Sequence, residues 1–448
     1  MDAPSLFLLL FGTASLAVCL IFTDLSEREQ EQRAARIARS SGVISLVLAS
    51  CGALVGGMGA RLFLGIYLIL FAVILFLLFV PIRAKPETPQ HRSNRYDERE
   101  IMFARMRLQP GSENYQQYYQ EHHAHKALDD TIRANGWQSR DSLPSQLMDI
   151  AADASFTAVG ALRGHVDGPV AEEKKEIPAD RRNTFIIGLA KHFGALDVGI
   201  VELKPEHVYS HIGRGAGEWG AAVELNHTHA IAFTVEMRWE QIVTAPRQPN
   251  MAESAVQYAH AGLTAVMLAS TLRGMGYEAR AHIDGNYRVI CPLVARDAGL
   301  GEIGRHGLLI TPDQGPRVRL AVVTTNLPLE GHHYEPDAAL IDFCERCTRC
   351  ADHCPAKALP LDGRKLIDGA LRWQIDQAQC YHYWTKVGTD CGRCMAVCPL
   401  ARSGHWIHRL VRKAITRSAL FRRVYIPFER WLYGDKLKPK DPPPWLDG

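Results

Sequence analysis

Apolar residues are massed in the first 82 positions of this chain and return afterwards only in short periodic runs. Residues 3–22 form one uncharged apolar stretch of about a bilayer's thickness. Residues 42–82 form a second, about twice as long, interrupted by Gly56-Gly57-Met58-Gly59-Ala60-Arg61. A glycine-rich break in a run of that length predicts two helices and a tight turn. An anchor over residues 1–83 is therefore expected, with three spans at about 3–22, 42–59 and 62–82. A cleaved signal peptide is the alternative for the first stretch, although the basic residues that open such peptides are missing.

Residues 84–180 are polar and mixed, and Lys85-Pro86-Glu87-Thr88-Pro89 reads as the start of a linker and amino-terminal cytoplasmic segment. From 181 to 335 helix and strand patterns alternate. Helical periodicity over 184–193 precedes strand-like runs at 197–203 and 229–235. A long helix follows, with Asn250 as its cap, Glu253 three residues on, and Gly274 and Gly276 at its end. It carries Tyr258 and many small residues, which suit either a flat ligand or plain helix-on-sheet packing. Further strands are expected at 277–283 and 317–325, giving an α/β layer domain with helices on a mixed sheet. The tail, 405–448, mixes arginines with apolar residues over 406–432. It predicts a basic amphipathic helix that lies on the inner leaflet or closes over the preceding domain.

Charge fixes an orientation for the anchor. Arg28, Arg33, Arg36 and Arg39 follow the first span, and Arg83 and Lys85 follow the last, whereas residues 1–4 carry no Lys or Arg. The amino terminus is expected outside and everything after Arg83 in the cytoplasm, making a multi-pass protein of the inner membrane. A net charge of +3 over 448 residues argues for no polyanionic partner, and no nucleic acid is expected. Of 11 cysteines, Cys19 and Cys51 lie in apolar segments and Cys291 stands alone.

The other cysteines lie in residues 336–404, read as a ferredoxin-like domain. They run Cys344-x-x-Cys347-x-x-Cys350-x-x-x-Cys354-Pro355, then Cys380, then Cys391-x-x-Cys394-x-x-x-Cys398-Pro399. Three thiolates at such spacing wrap three corners of an iron–sulfur cubane, and the cysteine before proline reaches the neighbouring cluster. Two [4Fe–4S] clusters are therefore expected. One takes Cys344, Cys347, Cys350 and Cys398; the other takes Cys354, Cys391, Cys394 and, as the nearby candidate for the missing thiolate, Cys380. Two zinc tetrads are the alternative, disfavoured by the repeated Cys-Pro ending. Glu121-His122-His123-Ala124-His125 has no second ligand group at matching spacing and reads as a solvated helix face. Gly299, Gly301, Gly304 and Gly307, with Arg305 among them, suggest a loop folded around a cofactor's polar edge. Their spacing is not the dinucleotide G-x-G-x-x-G.

The run from Ala298 to Pro312, then Gly315-Pro316-Arg317-Val318-Arg319 and the double cluster motif, resembles the corrinoid-dependent reductive dehalogenases over residues 150–448. The epoxyqueuosine reductases share the loop and the clusters. They carry an aspartate in an Asp-Tyr-His context on the helix where this chain has Gln257-Tyr258-Ala259-His260. The resemblance implies a nitroreductase-like corrinoid-binding core and reductive removal of halide from an organohalide. Tyr258 would be the proton donor, beside Arg319 and Asn286, the last in a segment about two residues longer than in the family. A cation near Tyr258 would ease loss of its proton. The corrinoid is expected base-off, with no Asp-x-His-x-x-Gly motif to replace the base. Electrons would come from an external donor, a ferredoxin, a flavodoxin or a quinol-linked carrier. Three fused spans in place of a twin-arginine signal resemble the membrane-integral, cytoplasm-facing type. Taken without the resemblance, Tyr258 reads sooner as a packing residue and Arg319 as a strand-edge ion-pair partner. A corrinoid reductase of a non-halogenated substrate such as an epoxide, and a membrane iron–sulfur electron-transfer subunit, are the competing readings.

Overall fold

The computed structural model describes residues 2–90, 94–138 and 143–446. They divide into two units, one of Pro86–Gly404 with the last residues from Pro442, the other of Met1–Lys85 with His405–Asp441. In the first unit the strands are β1 (Val198–Glu202), β2 (His229–Glu236), β3 (Ala279–His282), β4 (Glu302–Ile303), β5 (Leu309–Ile310) and β6 (Val318–Thr325). The main sheet has the order β1-β2-β6-β3. Every pairing in it is antiparallel, which corrects the expectation of a mixed sheet. The long helix does join two parallel strands, β2 and β3, but β6 enters between them and runs against both.

Alternation along the strands builds two cores. Ile231, Phe233, Val235, Ala321 and Val323 face one layer, filled by Ala261, Ala265, Leu268 and Leu272 of the long helix Gln248–Gly274. Ala230, Ala232 and Val322 face the other, filled by Val294 and Ala295 of the helix Cys291–Asp297. A fully buried Ile, Val or Phe contributes about 1.5–3 kcal/mol, so a one-residue slip, which exchanges the two faces, is strongly disfavoured. The long helix starts three residues earlier than expected. Arg247 is its cap and Pro249 lies in its first turn, which frees the Asn250 side chain for other work. Glu253 accepts a hydrogen bond from the Arg238 N–H at 2.7 Å. Helix Leu143–Leu162 packs along the long helix, and a Cβ on Gly262 would lie 3.3 Å from Leu162. Val166 joins the core, so the α/β domain begins well before residue 181. The small residues of the long helix therefore serve helix and sheet packing.

In the second unit, helices Ala3–Arg28, Gln32–Val55 and Gly57–Phe79 are each long and apolar enough to cross a membrane. Leu54, Met58, Leu62 and Ile69 on their outer faces are covered by no protein, and lipid is the medium that suits them. A Cβ on Gly42 would lie 2.8 Å from the Cys19 Cβ, so the first two helices approach over small residues. The second helix begins at Gln32 instead of 42, because Arg33, Arg36 and Arg39 extend it as good helix formers; the loop shrinks to a turn at Glu29–Glu31. The tail forms two helices, Trp406–Arg417 and Ala419–Tyr433, broken at Ser418, whose hydroxyl caps the second. They pack within the anchor's unit: Arg33 donates to the Trp431 carbonyl at 3.0 Å, and His408 lies 3.0 Å from Glu29.

Candidate active site

Asn250, Ser254 and Tyr258 recur every fourth residue on the long helix and so share one face. Arg319, on β6 opposite Val235, brings its guanidinium carbon to 4.6 Å from the centre of the Tyr258 ring. Its Nη2 donates to Ser254 Oγ, and Ser254 in turn donates to Asp390 Oδ2. Asn250 donates to the other Asp390 oxygen at 2.6 Å, and Arg319 Nη2 lies 3.5 Å from Oδ2. Asp390 precedes Cys391, and a Cβ on Gly392 would collide with the Asn250 amide. The loop carrying Cys391 is thus seated on the helix face that ends in Tyr258.

Arg319 is the largest influence on Tyr258 and lowers its pKa, but burial and the carboxylates of Asp284 and Asp390 outweigh it. The phenol ends above its ordinary value, although the neighbouring cation itself acts in the expected direction. A second cation that sequence reading did not single out, Arg214, also lowers it. Arg214 is held by Glu98 at 3.0 Å and lies over the rings of Phe103 and Tyr287. Burial raises the Asp390 carboxyl despite Arg319, Ser254 and Asn250. Asn286 is fully buried, its Oδ1 accepting from Arg280 at 2.8 Å and its Nδ2 3.4 Å from the Arg163 carbonyl. That places its amide in the loop's own framework, two residues from Asp284. Among the described residues Arg319 Nε and Asn250 Oδ1 are buried without a partner, so this face fits a bound polar group.

The cysteines gather as two sets. Cys344, Cys347 and Cys398 are the thiol neighbours that raise Cys350. Cys354 and Cys380 do the same for Cys391, and both, with Cys391 and Cys350, for Cys394. The sets meet around Cys350, Cys354 and Cys394, which share a cluster with Ala351, Leu359 and Ile375. Burial pushes Cys344 and Cys380 up to about 11 and Cys391 to about 12, so these thiols stay protonated until a metal displaces the proton. The donor set and its two groups of four fit the iron–sulfur reading.

The glycine loop is explained by protein packing. A Cβ on Gly301 would meet the Ile310 carbonyl, on Gly304 the Ile310 side chain, on Gly307 Ile375, and on Gly299 His332. These contacts close the β4–β5 hairpin and set it on its surroundings. Arg305 is 1% exposed and donates to the carbonyls of Cys344, Glu345, Pro360, Leu361 and Asp362. Its fork clamps the first cysteine segment. His306 Nδ1 accepts from the Leu308 N–H, and its buried Nε2 has no partner among the described residues.

A 4Fe-4S dicluster domain model matches residues 343–401. Over 188 residues the chain is 37% identical to a tetrachloroethene reductive dehalogenase of Sulfurospirillum multivorans, covering 40% of this chain and 37% of that one. Over 113 residues it is 34% identical to the epoxyqueuosine reductase of Bacillus subtilis, covering 24% and 28%. The match thus spans less than two-fifths of either relative. A solved reductive dehalogenase, described in terms of B12-dependent dehalogenation, superposes with a TM-score of 0.62 at 22% identity, over 79% of this chain and 50% of that one. That likeness establishes a shared fold.

Proposed function

From its kinship with the reductive dehalogenases and, over a shorter stretch, the epoxyqueuosine reductases, we propose that this chain is a membrane-anchored, corrinoid- and iron–sulfur-dependent oxidoreductase that replaces the halogen of an organohalide with hydrogen. The observation that carries this is the unbroken path from Tyr258 through Arg319, Ser254 and Asp390 to the loop of Cys391. It joins a proton donor to an electron-carrying site. The overall change is R–X + 2 e⁻ + H⁺ → R–H + X⁻. When bound, a base-off corrinoid supplies the metal centre at which the carbon–halogen bond is cleaved, and two [4Fe–4S] clusters supply its electrons.

The protein's part is to hold, orient and release a proton. With its pKa raised, Tyr258 is protonated at neutral pH and so ready to act as an acid. Arg319 and Arg214 then stabilise the phenolate left behind. Arg319 also has an unpartnered Nε for a bound group, and Asn286 keeps the adjoining loop in place. Cys344, Cys347, Cys350 and Cys398 would hold one cluster. Cys354, Cys380, Cys391 and Cys394 would hold the other, in the segment where Asp390 precedes Cys391. In this reading the three apolar helices anchor the enzyme in the cytoplasmic membrane with its catalytic unit inside, a side that the basic residues Arg28, Arg33, Arg36 and Arg39 support, and an external ferredoxin, flavodoxin or quinol-linked carrier reduces it.

The test is turnover of corrinoid-supplied protein with reduced viologen against halogenated phenols, alkenes and an epoxide, following halide release. Halide release that disappears in Tyr258→Phe, with iron and corrinoid retained, is the expected result. Protein replete in iron that takes up no corrinoid, or that reduces the epoxide alone, would overturn the proposal. A tyrosine in place of the epoxyqueuosine enzymes' aspartate is what favours the organohalide.

A further inference from the structure

The histidines at 122 and 125 have no metal partner in their own stretch of sequence, yet the fold supplies one from 22 residues upstream. Glu100 closes the short helical turn Glu98–Glu100, His122 joins the helices Glu113–Glu121 and His123–Asn135, and His125 lies in the first turn of the second. One ligand atom from each lies within 4.8 Å of the other two, the one such group among the described residues. Glu100 Oε1 is 3.2 Å from His122 Nε2. The two imidazoles are nearly parallel, at 7° and 5.9 Å, and His122 stacks on Tyr118 at 4.5 Å. The Tyr118 hydroxyl lies 3.3 Å from His125 Nδ1 and 3.4 Å from Glu100 Oε1, so both rings are held before any ion arrives.

Ligand chemistry selects among ions. Two imidazoles and one carboxylate suit a borderline cation such as zinc, with a fourth position left for water, and do not suit calcium or magnesium, which take oxygen ligands. Nearby positive charge is already paired: Arg105 with Asp129 at 2.6 Å and Arg99 with Asp97 at 2.7 Å. We propose that Glu100, His122 and His125 bind one divalent ion of the zinc class, which clips the Glu98–Glu100 turn to the helix pair that follows it.

The clip bears on the active site through Glu98. That carboxylate accepts from the Gly213 and Arg214 N–H groups at 2.9 and 3.0 Å and from Arg214 Nε at 3.0 Å. Fixing the turn therefore fixes the second cation that acts on Tyr258. The site itself stands independently of the proposed reaction.

The experiment uses full-length, detergent-solubilised, cluster-replete protein supplied with zinc chloride, desalted, and assayed for zinc and iron by mass spectrometry. The wild type is expected to retain one zinc per chain. Glu100→Gln, which keeps the shape and removes the charge, and His122→Ala/His125→Ala should each lose it with iron unchanged. Zinc should also slow amide hydrogen exchange over 98–125 in the wild type and not in Glu100→Gln. No zinc retained by the wild type, or the same zinc in the double variant at equal iron, overturns the proposal.

Discussion

Replacing Arg305 by methionine tests what the glycine loop is for. The side chain is 1% exposed and makes five contacts of 2.6–3.1 Å to carbonyls, two in the segment of Cys344 and Glu345 and three in Pro360–Asp362. Methionine fills a similar length without a donor. A hydrogen bond to a charged group contributes about 1.5–3 kcal/mol, and a buried carbonyl left unpaired costs about 1–3 kcal/mol. The contacts are not additive and water can reach some carbonyls, so a net loss on the order of 4–5 kcal/mol is expected. That is a large share of the about 5–15 kcal/mol that holds a domain folded. Because two of the carbonyls belong to the first cysteine segment, the set Cys344, Cys347, Cys350 and Cys398 should fail first. Anaerobically purified Arg305→Met should lose about half its iron, retain the signal of the other cluster, and unfold at lower temperature. Arg305→Lys keeps the charge but cannot span both segments, and should fall in between. Full iron and an unchanged melting temperature, with corrinoid uptake alone abolished, would refute the clamp and return Arg305 to the cofactor.

Asp390→Asn removes a charge that raises the Tyr258 pKa, so the alkaline limb of the activity profile should move to lower pH and turnover should fall about tenfold, with iron retained; an unmoved limb removes Asp390 from the path. His306 is buried and its pKa falls to about 4, against an ordinary value of about 6.5. The unfolded chain therefore takes up the proton first, and stability that is complete above about pH 6.5 drains away as pH falls toward 4. At pH 5.5 the loss is about 1.4 kcal/mol, and His306→Gln should flatten that part of the stability curve in denaturant titrations at pH 7.5 and 5.5. In intact spheroplasts an amino-terminal tag should be open to protease and a carboxy-terminal tag protected; the reverse pattern would overturn the orientation drawn from Arg28, Arg33, Arg36 and Arg39.

Local patterns were readable where one segment's chemistry decides its own shape. The β-branched runs at 198–202 and 318–325 are strands because they are buried on both faces, and the cysteine spacing marks the segment that matches a 4Fe-4S dicluster domain. Sheet direction was not readable, since it depends on where β6 inserts, and both arrangements have the same burial pattern. Side chains with long-range partners were harder to read, for a common reason. Asn250 looks like a helix cap, yet its amide serves Asp390, 140 residues away. Arg305 looks like a cofactor residue because glycines surround it, yet the glycines admit backbone and Ile310, and the arginine holds carbonyls 39–57 residues on. His122 and His125 look solvated until Glu100 arrives from another turn. In each case a polar side chain with no local partner marked a place where distant chain must return, because burying it unpaired would cost more than folding gains there. The same rule points to the two atoms still unsatisfied beside Tyr258, Arg319 Nε and Asn250 Oδ1, as the places where a bound group completes the site.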